Sequence, residues 1–156
     1  FIRDGKLLLC GNGAGGINAL HMATLMVNQN ENERPGLPAL ALDNSPILTG
    51  IQRDYGTGDV FSRQVRALGQ STDTLMVFTC RGNSSNLVNA IQAAHDRNIH
   101  SIVLSGNDGG HVSKILDTND IEIKLPISSC SLIHETHMMM IYILCELIEE
   151  QLFGGL

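Results

Sequence analysis

Thr74-Leu75-Met76-Val77-Phe78-Thr79-Cys80-Arg81-Gly82-Asn83-Ser84-Ser85 begins as a short run that reads as buried. It breaks at Thr79, turns on a single glycine and opens onto a helical pattern that reaches Arg97. A short apolar run, then a turn, then a helix is the repeating unit of a parallel α/β sheet. The turn itself is chemically informative. The first N–H groups of a helix have no intrahelical partner, the aligned peptide dipoles favour negative charge there, and a glycine lets the main chain approach an anion closely. Residues 79–84 therefore read as an anion loop, with a phosphorylated ligand as the first expectation.

The same grammar extends in both directions. Residues 6–10 read as a first strand that ends in the glycine-rich turn 11–16, and residues 17–29 have helical spacing. Residues 38–42 read as a second strand. Residues 45–53 and 59–68 read as short helices separated by Tyr55-Gly56-Thr57-Gly58. Residues 100–104 form a fourth strand that ends in Ser105-Gly106-Asn107-Asp108-Gly109-Gly110. Residues 121–125 alternate as a fifth, edge-like strand. A last helix over residues 131–152 is apolar over more than one stripe, which predicts burial on two sides, the second against another subunit. The expected class is an α/β three-layer sandwich around a five-stranded parallel sheet, in one domain spanning 1–156.

Composition narrows the functions. A formal net charge of −6, with ten Lys and Arg scattered along 156 residues, excludes binding of nucleic acid by phosphate neutralisation. No apolar run reaches the ~18–20 residues of a membrane span. The four cysteines, Cys10, Cys80, Cys130 and Cys145, show neither zinc spacing nor disulfide density, and read as separate reduced thiols of a cytoplasmic protein. A chain opening on Phe1 reads as one that has lost a preceding segment.

Ligands of open parallel sheets bind beyond the carboxyl ends of the strands. Asn12 and Gly13, Asn44, and Thr79, Arg81, Asn83 and Ser84 are the candidate binding residues for a phosphorylated ligand on that ground. Ser84 and Ser85 have an ordinary alternative as helix caps. The glycine loop at 11–16 departs from the G-x-G-x-x-G continuation of a dinucleotide site. His134 and His137 stand one helical turn apart beside Glu135; they suit either zinc or packing, with His21 as a distant third candidate.

Five ordered stretches carry a resemblance: Cys10-Gly11-Asn12-Gly13, Glu33-Arg34-Pro35-Gly36-Leu37-Pro38-Ala39, Arg81-Gly82-Asn83-Ser84, Gly106-Asn107-Asp108-Gly109-Gly110, and His134-Glu135-Thr136-His137. The chain resembles the sugar isomerase (SIS) domain family over essentially its whole length. Within it, the chain resembles the branch shared by phosphoheptose isomerases and DnaA initiator-associating (DiaA) proteins. The resemblance implies a flavodoxin-like strand order, a homotetramer with sites between subunits, and an N-terminal helical segment that this sequence lacks.

The isomerases of that branch place a catalytic glutamate where this chain has Leu25, a catalytic histidine where it has Tyr142, and a glutamine where it has His134. Leu25 cannot move a proton, so an isomerase acting on sedoheptulose 7-phosphate would need a rebuilt site, with His134 as base, Tyr142 as acid and zinc as a cofactor. Without that reading no cofactor is expected, and His21 and His134 are weak metal candidates. Arg81 and the ending Leu152-Phe153 match the DiaA-like branch. They imply a regulatory protein that holds a phosphorylated sugar and grips DnaA through Leu152 and Phe153, with turnover not expected.

Overall fold

Two central strands, Leu7–Gly11 and Thr74–Phe78, have the buried, uninterrupted apolar character of strands covered on both faces, whereas the edge strand Ile121–Leu125 alternates Ile and Leu with Glu122 and Lys124. In the computed structural model, which describes residues 1–154, β1 (Leu7–Gly11), β2 (Ala39–Ala41), β3 (Thr74–Phe78), β4 (His100–Gly106) and β5 (Ile121–Leu125) form one parallel sheet in the order β2-β1-β3-β4-β5. Leu9 is paired with Ala41 on one side and Met76 on the other, and Met76 with Ile102 in turn.

Strand periodicity of two sends alternate residues to opposite layers. Leu8, Cys10, Leu75, Val77 and Val103 pack with Val65, Leu87, Ala90 and Ile91, from α3 (Ser62–Leu68) and α4 (Ser85–His95). Leu7, Leu9, Met76, Phe78 and Leu104 pack with Met22 and Met26 of α1 (Ala14–Val27) and with Ile141 and Cys145 of α6 (Cys130–Phe153). Fully burying a Leu or Phe contributes about 1.5–3 kcal/mol, so the two faces together supply the bulk of the driving force. The first layer is completed by α2 (Ser45–Tyr55), a 3-10 turn at Thr57–Asp59, and α5 (Gly110–Ile115).

Three expectations change. First, α1 begins at Ala14 and takes Gly15 and Gly16 into the helix; a Cβ on Gly15 would meet the Phe78 carbonyl, so the glycine lets α1 seat against the end of β3. Second, α5 stands where only a glycine turn was expected. Third, Cys80 and Cys130 are not separate thiols: they are joined as a disulfide, with Cα atoms 5.3 Å apart across 50 residues of sequence. The fold brings the loop after β3 to the start of α6, a juxtaposition that local spacing does not display.

One buried ion pair ties the outer layer together. The Arg34 side chain, fully buried, donates from Nε to Glu149 Oε1 at 2.7 Å and from its terminal nitrogens to the carbonyls of Leu25, Met26 and Pro35. It thereby satisfies the open C-terminal carbonyls of α1 and fixes the 28–38 loop to α6. No helix among the described residues is long and apolar enough to cross a membrane.

Candidate phosphosugar site

A strand order of 2-1-3-4-5 reverses direction between β1 and β3, and the loops leaving those two strands splay apart at their carboxyl ends. A cleft of about 260 Å³ lies there, lined by Asn12 after β1, by Thr79, Cys80, Arg81, Asn83 and Ser84 after β3, and by His134 of α6. The groove between Phe1 and the end of α6 is larger, but its walls are mainly apolar, from Phe1, Ile2, Leu144, Leu147, Ile148 and Leu152.

The anion loop is held from below. Thr79 Oγ1 accepts from Gly82 N at 3.0 Å, Gly82 O accepts from Val112 N at 2.9 Å, and Asn83 Oδ1 accepts from His111 N at 3.1 Å. Gly82 has φ +65°, and a Cβ there would run into the Gly109 carbonyl, so only glycine fits where the loop crosses α5. Arg81 is exposed beside the cleft. Ser84 is the N-cap residue of α4, yet its side chain makes no capping hydrogen bond, so its hydroxyl and the N–H groups of Ser85 and Asn86 are left for a ligand, while Leu87 N already donates to Ser84 O at 3.1 Å. Asn12 and Asn86 exchange side-chain amide hydrogen bonds of 2.9 and 2.8 Å, which clamp the β1 loop to the first turn of α4.

The predicted residues divide in space. Asn12, Thr79, Arg81, Asn83 and Ser84 come together; Gly13, with φ +54°, sits next to Asn12 as the N-cap of α1. Asn44 is outside the cleft: its Oδ1 accepts from Ile47 N at 3.3 Å and caps α2. Leu152 and Phe153 are half-buried against the α1/α6 core cluster. Sequence reasoning missed Asn86, whose pairing with Asn12 spans 74 residues and leaves no local signal.

The histidines occupy separate neighbourhoods. His134 lines the cleft, with its Nδ1 buried and unpartnered and its pKa lowered by burial. His137, fully buried beside Phe78, is pushed down to about 4 by desolvation, which outweighs the raising effect of its hydrogen bond to the Ser105 carbonyl. His21 instead meets Tyr142 edge-on, with ring centroids 5.3 Å apart. Its buried Nε2 is unpartnered. Leu25, in the place expected for a glutamate, packs as a half-buried apolar residue. His21 and His134 do not assemble with a third ligand among the described residues. Among the described residues the trio within mutual ligand reach is His95, Asp117 and Asp120, and there Asp120 is already engaged by Ser101 N, Asp117 N and His95 at the opposite end of the sheet.

Comparisons with known proteins agree with this geometry. A model of the SIS domain matches residues 2–106. A phosphoheptose isomerase of Chromohalobacter salexigens is 46% identical over 155 residues, covering 99% of this chain and 79% of the relative. The DnaA initiator-associating protein DiaA of Cronobacter sakazakii is 43% identical over 153 residues, covering 97% and 78%. A solved phosphoheptose isomerase from Francisella tularensis superimposes with a TM-score of 0.92 at 37% identity, covering 96% of this chain and 78% of that one. Identity at this level does not rank the two kinds of relative. With the switch-point cleft, the strand order and these matches taken together, the chain belongs to the SIS-domain family, in the branch that phosphoheptose isomerases share with DiaA.

Proposed function

We propose that this chain is a DiaA-like SIS protein that binds a phosphorylated sugar in the switch-point cleft and docks the replication initiator DnaA, without isomerase turnover. The observation that carries the reading is the make-up of the cleft. It offers an uncapped helix N-terminus, hydroxyls and a guanidinium for an anion, while Leu25 stands where the enediol chemistry of the isomerases needs a carboxylate base. Exposed apolar residues on α1 (Ile17, Leu20) and α6 (Met139, Ile143, Leu147) support self-association of these helices, in keeping with the homotetramer that the family resemblance implies. An acidic chain suits this role because the partner, not this protein, would contact DNA.

A second reading is phosphoheptose isomerase, supported by the names of the relatives and by His134, a neutral imidazole with an unpartnered nitrogen at the cleft. It requires His134 to act as base and Tyr142 as acid, and in this chain Tyr142 packs against His21. Two assays separate the readings: turnover of sedoheptulose 7-phosphate with and without added zinc, and plasmon-resonance binding to DnaA. The proposal expects DnaA binding and no turnover. Turnover that is abolished in His134→Ala would replace it with the isomerase reading.

A further inference from the structure

Of the four cysteines, Cys10 and Cys145 are sealed in the core, where burial pushes their thiols up to about 12 and about 11 and makes them inert. The other two are half-buried and joined. Cys80 belongs to the anion loop and lines the cleft, between Thr79 and Arg81. Cys130 is the first residue of α6, one turn before His134. The loop's hydrogen bonds run to β4 and α5, through Leu104 O, Val112 N and His111 N. The cystine is what joins the loop to α6, and so it fixes the spacing of Arg81 and Ser84 relative to His134 across the cleft.

We propose that Cys80 and Cys130 are a redox-modifiable pair that tunes the affinity of the cleft for a phosphorylated ligand. The oxidised form holds loop and helix as one unit, and the reduced form releases them. This rests on reading the cleft as an anion site. A low-molecular-weight thiol is the reductant. Its thiolate attacks the Cys80 sulfur, the S–S bond breaks, and the electron pair leaves on the Cys130 sulfur, which takes up a proton. A second thiolate then attacks the mixed disulfide, forming the external disulfide and freeing Cys80, which is protonated in turn. The protein gains two electrons and two protons, and two external thiols are oxidised. The corresponding external disulfide reverses both steps. Cys130 is the better leaving group, because helix N-terminal N–H groups stabilise a thiolate and Ser129 does not occupy them with a side-chain cap. A half-exposed cystine is transient where thiols are kept reduced and permanent where they are not.

A pocket wall that is fixed beforehand costs less ordering on binding, which sets the expected gain in affinity at about three- to tenfold. The test poises the full chain in buffers of graded reduced-to-oxidised glutathione, maps thiols by alkylation and mass spectrometry, and measures binding of sedoheptulose 7-phosphate by calorimetry in each. The expected result is a Cys80–Cys130 cross-link in oxidising buffer with tighter binding there. Cys80→Ser and Cys130→Ser are expected to bind like the reduced protein in every buffer. Binding that ignores the state of the cross-link, or failure of the cross-link to form at any ratio, overturns the proposal alone. A cross-link that cycles while neither form binds the sugar phosphate overturns the anion reading and the proposal with it.

Discussion

Replacing Arg34 by Leu strands the Glu149 carboxylate, which then has the Asn30 N–H as its remaining donor; it also removes the guanidinium donor from the carbonyls of Leu25, Met26 and Pro35, of which Met26 keeps the Leu37 N–H at 2.8 Å. The Arg34 side chain is 0% exposed and that of Glu149 10%, so water cannot take the missing place. Removing one partner of a buried pair costs about 3–5 kcal/mol. Against a whole-domain stability of about 5–15 kcal/mol, that is a large share. At about 2–4 °C per kcal/mol for a chain of this length, the melting temperature should fall by roughly 6–20 °C. Glu149→Gln should cost less, about 1–3 kcal/mol, because its amide oxygen still accepts from Nε. The double variant Arg34→Leu/Glu149→Leu should recover part of the single-variant loss, since no lone charge remains buried. It should stay below wild type because the Leu25 carbonyl loses its guanidinium donor. Urea unfolding at pH 7, followed by far-UV circular dichroism, measures all three. An Arg34→Leu variant within about 1 kcal/mol of wild type, or a double variant no more stable than Arg34→Leu alone, would refute the reasoning.

Ser84→Ala discriminates cap from ligand group. Its side chain makes no capping bond, so stability should change by less than about 0.5 kcal/mol, whereas loss of a true cap costs ~1 kcal/mol; calorimetry should show weakened binding of sedoheptulose 7-phosphate. His137 gives the fold an acid sensitivity of calculable sign. Its folded value of about 4 lies below the ordinary 6.5, so its contribution is complete above pH 6.5 and is lost as pH falls through 4, by up to about 3 kcal/mol. His137→Leu should flatten the stability profile between pH 6.5 and 4 in denaturant titrations; parallel profiles would contradict the assignment.

The sheet was legible because its central strands are continuous apolar runs and its edge strand alternates, and residues 74–78 and 121–125 match their observed limits. Helix α5 was not legible. Six residues opening on Gly110 carry little helical pattern, and the segment is anchored by Gly82 O and Asn83 Oδ1 from a distant loop. The anion loop announced itself through local chemistry, since glycine, hydroxyls and a following helix lie within a few residues. Its long-range partners did not: the Asn12–Asn86 clamp, the Cys80–Cys130 link and the place of His134 at the cleft arise only through tertiary packing. Asn44 shows how one residue type serves two purposes in sequence, since the side chain suited to ligand contact here caps α2, which only the geometry displays. The apolar surface on α6 is wider than the contact it makes inside the chain. Within this chain its inner stripe of Ile133, His137, Ile141, Cys145 and Glu149 is covered, while Leu132, Met139, Ile143 and Leu147 face outward.

One face of the sheet is roofed by α1 and α6, which come from opposite ends of the described chain. During synthesis, strands β1 to β5 and the whole opposite layer can assemble while Phe78 and Leu104 still await their cover. That cover arrives only when residues near 150 leave the ribosome. A nascent chain that has made β1 to β5 but not yet α6 is therefore a sandwich with one hydrophobic side covered by α1 alone, the state in which chaperone capture or aggregation competes with completion.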